Sequence, residues 1–473
     1  MSKNIKQFVK AVSSGEISVL EHAHKIAEEV EKKNPEYNHL NFFDKKNFIS
    51  QAESIEKKIK TEKTEKKRLL GVPITAKDCL CVKGMHSRAG AKILEGYKPI
   101  FDATVIARVK KEGAIIIGKT SQDEFGFGTF SVNHTAGKIP LNPIDKERSC
   151  GGSSGGAAGF TALTKYTHAA IAESTGGSIA CPASFCGVSS ITPTYGRVSR
   201  YGLMDYANSM DKIGTMGKSI DDCAELLNVI AGKDEKDSTS LDSEEIKLEK
   251  LNKIKIGIPK ELMGAIENKE IKKIAEKKIN EAESFGAQLE EISLPLNTEY
   301  GIATYYLIAM TEASTNLAKY CGMRYGFEKN LDESFNQYFS DVRSEAFGEE
   351  AKRRIMIGTF ARMSGFRDAY YLKAMKTRTL LIKEFKSLFK KVDFLAFPSM
   401  PMVAPKFSEI EKLSPLAHYA ADLCTVSVNL AGMPHATINA GSLNEMPVGL
   451  MIAGNHLDDS RVLSLASQLE AKK

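Results

Sequence analysis

The sequence predicts an α/β protein built on a mixed or mainly parallel sheet with helices over both faces. Short, almost unbroken apolar runs recur along the chain, among them Leu69 to Asp78, Ala114 to Ile117 and Phe394 to Phe397. Such runs are the mark of strands buried on both faces. Helical patterns separate them, as alternating α/β architecture requires. The chain has 473 residues, 42% hydrophobic and 26% charged. That is an ordinary globular composition with enough length to bury a large core, in one large domain or two or three smaller ones.

In order along the chain, Ser18-Val19-Leu20-Glu21 reads as a capping box. It opens a helix whose Ala23, Ile26, Ala27 and Val30 recur at helical spacing. A lysine-rich surface helix follows from about Lys45 to Glu65. Leu69 to Asp78 is a short buried strand with Lys77 at its tip. A lysine there is costly to leave charged and unpaired. It is either ion-paired, with Asp78 the nearest candidate, or kept neutral for chemistry, and the segment alone leaves both open.

Asp102 to Glu112 is a helix closed by Gly113, and Ala114 to Ile117 is a strand. Gly113 to Thr120 satisfies the phosphate-loop pattern G-x4-G-K-[ST]. A phosphate loop must follow a strand and open a helix, whereas here the intervening residues read as the strand itself, so ATP binding there is not expected. A short helix (Ala157 to Leu163) and a β-rich run (Thr167 to Ala172) come next, then a helix from about Ile220 to Ala231. Gly232 to Lys250 is polar and reads as an insertion or linker. Beyond it lie a strand (Lys255 to Ile258), a helix (Lys269 to Phe285) and a strand (Gln288 to Leu294). Thr298 to Lys391 reads as mostly helical, with a long stretch from Arg367. Strands at Phe394 to Phe397, Ala436 to Asn439 and Val448 to Ile452 precede a last helix, Asp459 to Ala471. The expected organisation is an N-terminal helical segment (1–66) packed on a core (67–232), with a C-terminal α/β part (233–473) in the same overall domain.

Net charge is +6. The excess sits in lysine-rich helices such as Glu56 to Lys67 and Lys383 to Lys391, which read as solvated faces rather than a nucleic-acid surface. No apolar run reaches the roughly 18 residues that span a bilayer, and the N-terminus lacks a signal-peptide core, so the cytoplasm is expected. The eight cysteines include a C-x-C (Cys79, Cys81) and a C-x4-C (Cys181, Cys186). Neither fits a common zinc or thioredoxin-type spacing. Reduced structural thiols and no metal site are expected.

The chemistry concentrates between Ser149 and Gly187. Two glycine-serine clusters, Gly151-Gly-Ser-Ser-Gly-Gly156 and Thr175-Gly-Gly-Ser178, are separated by apolar flanks that look buried rather than linker-like. Acyl transfer needs a nucleophile, a base and oxyanion donors. The N–H groups of Thr175, Gly176, Gly177 and Ser178 form a natural nest for a carbonyl oxygen, with Ser178 as nucleophile. The nine histidines sit in no nucleophile-base motif, and no G-x-S-x-G elbow occurs. Lys77 is the best-placed base, and a serine of the first cluster would pass the proton.

These residues resemble the amidase signature family. The matching pieces are Gly71-Val-Pro-Ile-x-x-Lys77-Asp78, the first cluster, Thr175-Gly-Gly-Ser178-Ile and Pro182-Ala-x-Phe-Cys-Gly187. The resemblance implies a large mixed sheet covered by helices on both faces and a Ser-cisSer-Lys triad. By motif, Lys77 is then the base, Ser153 the bridging serine after a cis peptide, Ser178 the nucleophile and Ser154 a support for the bridge. The likeness is strongest to members that serve tRNA-dependent amidotransferases, through Gly118-Lys-Thr-x-x-Asp-Glu-Phe125, Pro193 to Leu203, Lys352 to Phe360 and Val428 to Pro434. It implies hydrolysis of glutamine, whose α-carboxylate Arg354 (or Arg353) and α-amino group Asp422 would hold, with Tyr305 a further contact. The resemblance implies no cofactor in this chain. Ammonia would pass to a partner B subunit that uses ATP and Mg²⁺ to amidate Glu-tRNA(Gln) or Asp-tRNA(Asn), with a small C subunit wrapping the pair.

Two residues depart from the family's pattern: Ser174 stands where Asp is usual and Ala180 where Arg is usual. The segment between the clusters also looks one residue longer, a difference assigned to the Thr164 to Thr167 loop; beside the first cluster, it would make Ser154 the bridge. The rival readings are a free-standing amidase, an ATP-binding module at Gly113 to Thr120 and a non-catalytic scaffold subunit.

Overall fold

The computed structural model describes residues 3–61, 67–331 and 334–472. Among them eleven strands form one sheet: β1 (Leu40–Phe43), β2 (Pro73–Lys77), β3 (Ile115–Thr120), β4 (Ala169–Ser174), β5 (Ser189–Thr192), β6 (Lys212–Gly217), β7 (Lys255–Pro259), β8 (Gln288–Ile292), β9 (Phe394–Pro398), β10 (His435–Leu443) and β11 (Met446–Gly454). Their order is β1-β3-β2-β4-β6-β5-β10-β11-β9-β7-β8. β2 runs parallel to β3 and β4, and β7 parallel to β8 and β9; the other pairings are antiparallel. The sheet is therefore mixed.

Alternation along the central strands shows why their sequences are apolar throughout. In β4, Ala170 and Ala172 pack with Ala157, Ala158, Ala183 and Cys186, from the helices Gly155–Leu163 and Ala180–Cys186. Ala169 and Ile171 join the main core on the other face with Ile220 and Leu227 from the helix Ile220–Ile230. β9 and β11 divide the same way: Leu395, Phe397, Met451 and Ala453 serve one cluster, Phe394, Ala396, Leu450 and Ile452 the other. Successive side chains of a strand point to opposite faces, so both faces need apolar residues.

The elements expected from sequence are present, with shifted ends. Ser18 Oγ caps the helix Val19–Tyr37 by accepting from Glu21 N (3.2 Å), but the Glu56 carboxylate takes the other side, accepting from Ser18 Oγ (3.1 Å) and Leu20 N (3.1 Å). The lysine-rich helix is Lys45–Thr61; the rest of its expected span, 62–65, lies outside the described residues. The stretch after Arg367 opens with a π-helical turn, Asp368–Leu372, before the helix Lys373–Leu388. Gly232 to Lys250 carries no regular structure, yet it is strapped down. Arg108 donates to the carbonyls of residues 230 to 233, Leu241 N donates to Gly196 O (2.8 Å) and Glu249 N to Ser464 Oγ (3.0 Å). β1, β5 and β6 are strands that the sequence did not announce.

Two helices of the mostly helical stretch carry side chains to the site. Pro295–Asn316 and Glu349–Arg362 cross so closely that a Cβ at Gly358 would collide with the Met310 carbonyl. Gly358→Ala forces these helices apart, and overpacking of this kind costs about 1–3 kcal/mol. Thermal unfolding of the variant is expected at a lower temperature than that of the parent.

Candidate active site

Lys77 closes β2, which runs parallel to β4 and stops while β4 continues to Ser174. Its side chain is fully buried and its Nζ has three acceptors: Ser153 Oγ (2.7 Å), Glu173 O (2.9 Å) and Glu173 Oε2 (2.8 Å). Those are the three bonds a lysine ammonium can donate. Ser153 follows a cis peptide bond from Gly152. The bend that brings it there starts at Gly151, whose φ of +77° suits glycine. Ser154 Oγ donates to the same Glu173 carbonyl (3.1 Å), so it supports Lys77's anchor rather than Ser153 directly.

Asp123 fastens this loop. Its N–H donates to Ser153 O (3.3 Å), and its carboxylate accepts from Ser131 N (3.0 Å) and Asn133 N (2.8 Å). Burial pushes its carboxyl from 3.8 up to about 7, against the pull of those N–H groups. A carboxyl raised in the folded state favours folding fully below its unfolded value, and that contribution is lost as pH rises through the folded value. Between pH 3.8 and about 7, the unfolding temperature of Asp123→Asn is accordingly expected to fall less with rising pH than that of the parent.

The second cluster forms the turn between β4 and the helix Ala180–Cys186. Ser178 lies there, buried but 7% exposed. Gly176 and Gly177 are needed for close approach: a Cβ on the first would meet the Tyr305 ring at 2.8 Å, and one on the second would meet the Thr425 side chain. Thr175 is pinned at both ends. Its carbonyl accepts from Asn429 Nδ2, and its hydroxyl lies 2.8 Å from both Glu173 Oε1 and Asp211 Oδ1.

Arg354 and Asp422 converge on a ring of aromatic side chains. Arg354 is buried, bonded through Nε to Glu350 (2.8 Å) and through Nη1 to the Tyr206 hydroxyl. Its guanidinium lies 5.0 to 5.7 Å from the ring centres of Phe127, Tyr206, Tyr306 and Tyr419. Asp422 accepts from the Tyr306 hydroxyl (2.6 Å) and from Thr129 Oγ1 (3.0 Å), and burial raises its carboxyl above the ordinary range. Burial opposes the charge of Glu350 too, but Arg354 and Arg353 outweigh it and hold that carboxyl low. A cavity of about 200 Å³ opens here, lined by Gly128, Thr129, Glu350, Arg354 and Tyr419, with the more exposed Arg353 beside it. It pairs fixed charge with aromatic walls at a scale suited to a small ligand.

The structure also places the other residues singled out from sequence. Lys77 is ion-paired by Glu173, not Asp78, which faces Lys119 (3.8 Å), Asn41 (3.3 Å) and the N–H of Gly90 (3.2 Å). Tyr305 lies over Gly176, and the neighbouring Tyr306 is the tyrosine that touches Asp422. Lys119 of the phosphate-loop pattern is buried in β3 and bonds the carbonyls of Asp78 and Leu80 and the Ser87 hydroxyl. Ser174 Oγ is buried without a hydrogen-bond partner among the described residues, and Ala180 packs into an apolar cluster. Glu173, Glu350, Asp123, Tyr206, Tyr306 and Asp211 were not singled out from sequence. The described residues contain no group of three metal-ligating side chains, and no helix among them is long and apolar enough to cross a membrane.

Comparison with known proteins agrees with this geometry. The Amidase family profile matches residues 21–463. The A subunit of glutamyl-tRNA(Gln) amidotransferase from Heliobacterium modesticaldum is 44% identical over 407 residues, covering 85% of this chain and 83% of the relative. The same subunit of Caldanaerobacter subterraneus is 41% identical over 475 residues, covering 99% and 96%. The crystal structure of that subunit from Thermotoga maritima superimposes with a TM-score of 0.80 at 31% identity, over 100% of this chain and 95% of the other. The chain belongs to the amidase family, in the branch of the glutamyl-tRNA(Gln) amidotransferase A subunits.

Proposed function

We propose that this chain is the glutaminase subunit of a tRNA-dependent amidotransferase, hydrolysing glutamine to glutamate and ammonia through Ser178, Ser153 and Lys77. The observation that carries the reading is the buried 2.7 Å bond from Lys77 Nζ to Ser153 Oγ. It joins a base to a relay serine drawn from distant parts of the chain. Ser178 Oγ attacks the side-chain amide carbon while its proton passes to Ser153 Oγ, and Ser153 gives its own proton to the free amine of Lys77. The N–H groups of Thr175, Gly176, Gly177 and Ser178 hold the oxyanion. The proton returns along the same path to the amide nitrogen, ammonia leaves, and water attacks the resulting glutamyl ester to release glutamate.

Arg354 and Asp422 select the substrate. A guanidinium with Nε and one Nη1 bond committed keeps N–H groups for a carboxylate, and Asp422 can accept from an ammonium. In an assembly of this kind ammonia passes to the B subunit, which uses ATP with Mg²⁺ on Glu-tRNA(Gln) or Asp-tRNA(Asn), while the C subunit binds the pair. The setting is the cytoplasm. Glutamine hydrolysis that appears or rises sharply on adding the B and C subunits, the charged tRNA and ATP is the expected result. Turnover of varied amides by the isolated chain, indifferent to glutamine, would contradict it.

A further inference from the structure

The geometry points to Glu173 as the positioning residue of the base: its carboxylate holds Lys77 against Ser153 and stabilises the ammonium that forms when Lys77 takes the proton. This inference rests on the reading of Lys77 as base. Glu173 is 3% exposed, and its Oε2 accepts from Lys77 Nζ at 2.8 Å. Both Glu173 Oε2 and Ser153 Oγ border Gly126, so carboxylate and relay serine flank the same amine. A carboxylate so placed does for lysine what the buried aspartate does for histidine in a serine-histidine triad. It fixes the direction of the lone pair and favours the cation made during bond formation.

Hydrogen counting around Thr175 fixes which acid carries the charge. The Thr175 hydroxyl has one hydrogen, yet Glu173 Oε1 and Asp211 Oδ1 both lie 2.8 Å from its oxygen. One carboxyl must therefore keep a proton and donate it. Lys77 claims Glu173, so the proton belongs on Asp211, and burial first and Glu173 second push the Asp211 carboxyl up. With Lys77 as the free amine, the cluster then holds one anion and one neutral acid, and it gains its cation in the acylation step. The other ionisable groups facing it are Cys79 on the chain after β2, Asp123 on the loop after β3 and Asp205 near Asp211. Asp78 and Lys119 are occupied with each other. In the acylation step the Ser178 proton moves to Ser153, the Ser153 proton to Lys77, and the new ammonium faces the Glu173 carboxylate; no proton enters or leaves the cluster.

The test is the pH profile of glutaminase kcat/KM in the assembled enzyme. Removing a buried negative charge beside an amine disfavours its ammonium form, so Glu173→Gln is expected to move the acid limb down by about one pH unit or more. It should also lower kcat by about 10²–10³-fold with KM for glutamine nearly unchanged, somewhat less than the fall seen when a triad aspartate is neutralised. Asp211→Asn exchanges one neutral group for another and should leave the limb in place. A limb unmoved by Glu173→Gln, or moved equally by Asp211→Asn, would overturn the inference. Should Glu173→Gln fail to fold, ¹⁵N-lysine NMR of the unaltered chain decides: the signal lost in Lys77→Met is expected to change between ammonium and amine through the acid limb of the profile, and a signal that does not change there would overturn it. Full activity in Lys77→Met would defeat the reading of the base itself, whereas an inactive Lys77→Met with an unmoved limb defeats only the role of Glu173.

Discussion

Ser178→Ala and Lys77→Met are each expected to lower glutamine hydrolysis by about 10⁴-fold or more, and the double variant is expected to be no worse than either alone. Groups that act as one relay lose their effect together, as in serine proteases, so the losses do not add. The relay is one hydrogen-bonded unit at its base end: Lys77 Nζ meets Ser153 Oγ at 2.7 Å, and both are fully buried. Steady-state kinetics of the three variants with glutamine measures this. Losses that multiply would mean the two residues act in separate steps.

Arg354→Met is the second large effect, and it divides into binding and stability. Loss of a charge-assisted contact to the α-carboxylate is worth about 1.5–3 kcal/mol. KM for glutamine is therefore expected to rise by about 10- to 100-fold. Arg354 and Glu350 form a mostly buried pair, 3% and 11% exposed. Removing one partner of such a pair costs about 3–5 kcal/mol. Pairing Arg354→Met with Glu350→Gln removes the stranded charge and should restore much of the unfolding temperature while KM stays high. Recovery of KM in the double variant would show that Arg354 serves packing rather than glutamine.

Burial alone did not make a strand legible in sequence, since β5 and β6 are buried throughout; an apolar composition had to go with it. β2, β3, β4 and β9 announce themselves because both of their faces meet core, and the runs admit few polar residues. β5 (Ser-Ser-Ile-Thr) and β6 (Lys-Ile-Gly-Thr-Met-Gly) do not, since they are polar or glycine-containing strands held by neighbours on both sides. Tertiary pairing, not propensity, makes them strands. β1 is a four-residue edge strand with an irregular register against β3, too short for periodicity to show.

Within the site, the glycine-serine clusters and Lys77 were readable because each chemical role demands a residue type at a fixed place in a motif. The partner of Lys77 was not. Neighbouring strand residues point to opposite faces, so Asp78 turns to Lys119 on β3, which shares its face. The same alternation sets Glu173 on the face opposite Lys77. Their contact forms because β2 ends at Lys77 while β4 runs on: the lysine reaches along β4 and bonds both the Glu173 carbonyl and its carboxylate. The loss of an acid at position 174 was visible in sequence. That an acid one residue earlier reaches the base depends on where β2 stops. Glu350 and Tyr306 escaped notice for a related reason: each adjoins or faces a residue that the motif had already claimed, and nothing in helical spacing ranks one above the other.

The central claim is that Ser178 forms a covalent bond with the substrate's acyl group. Its most direct measurement is treatment of the chain, with its partner subunits present, with a glutamine-like electrophile, followed by peptide mass spectrometry. The account predicts one adduct, on Ser178, protected by glutamine and absent from Ser178→Ala. An adduct on another residue, or undiminished glutamine consumption by Ser178→Ala, would contradict it.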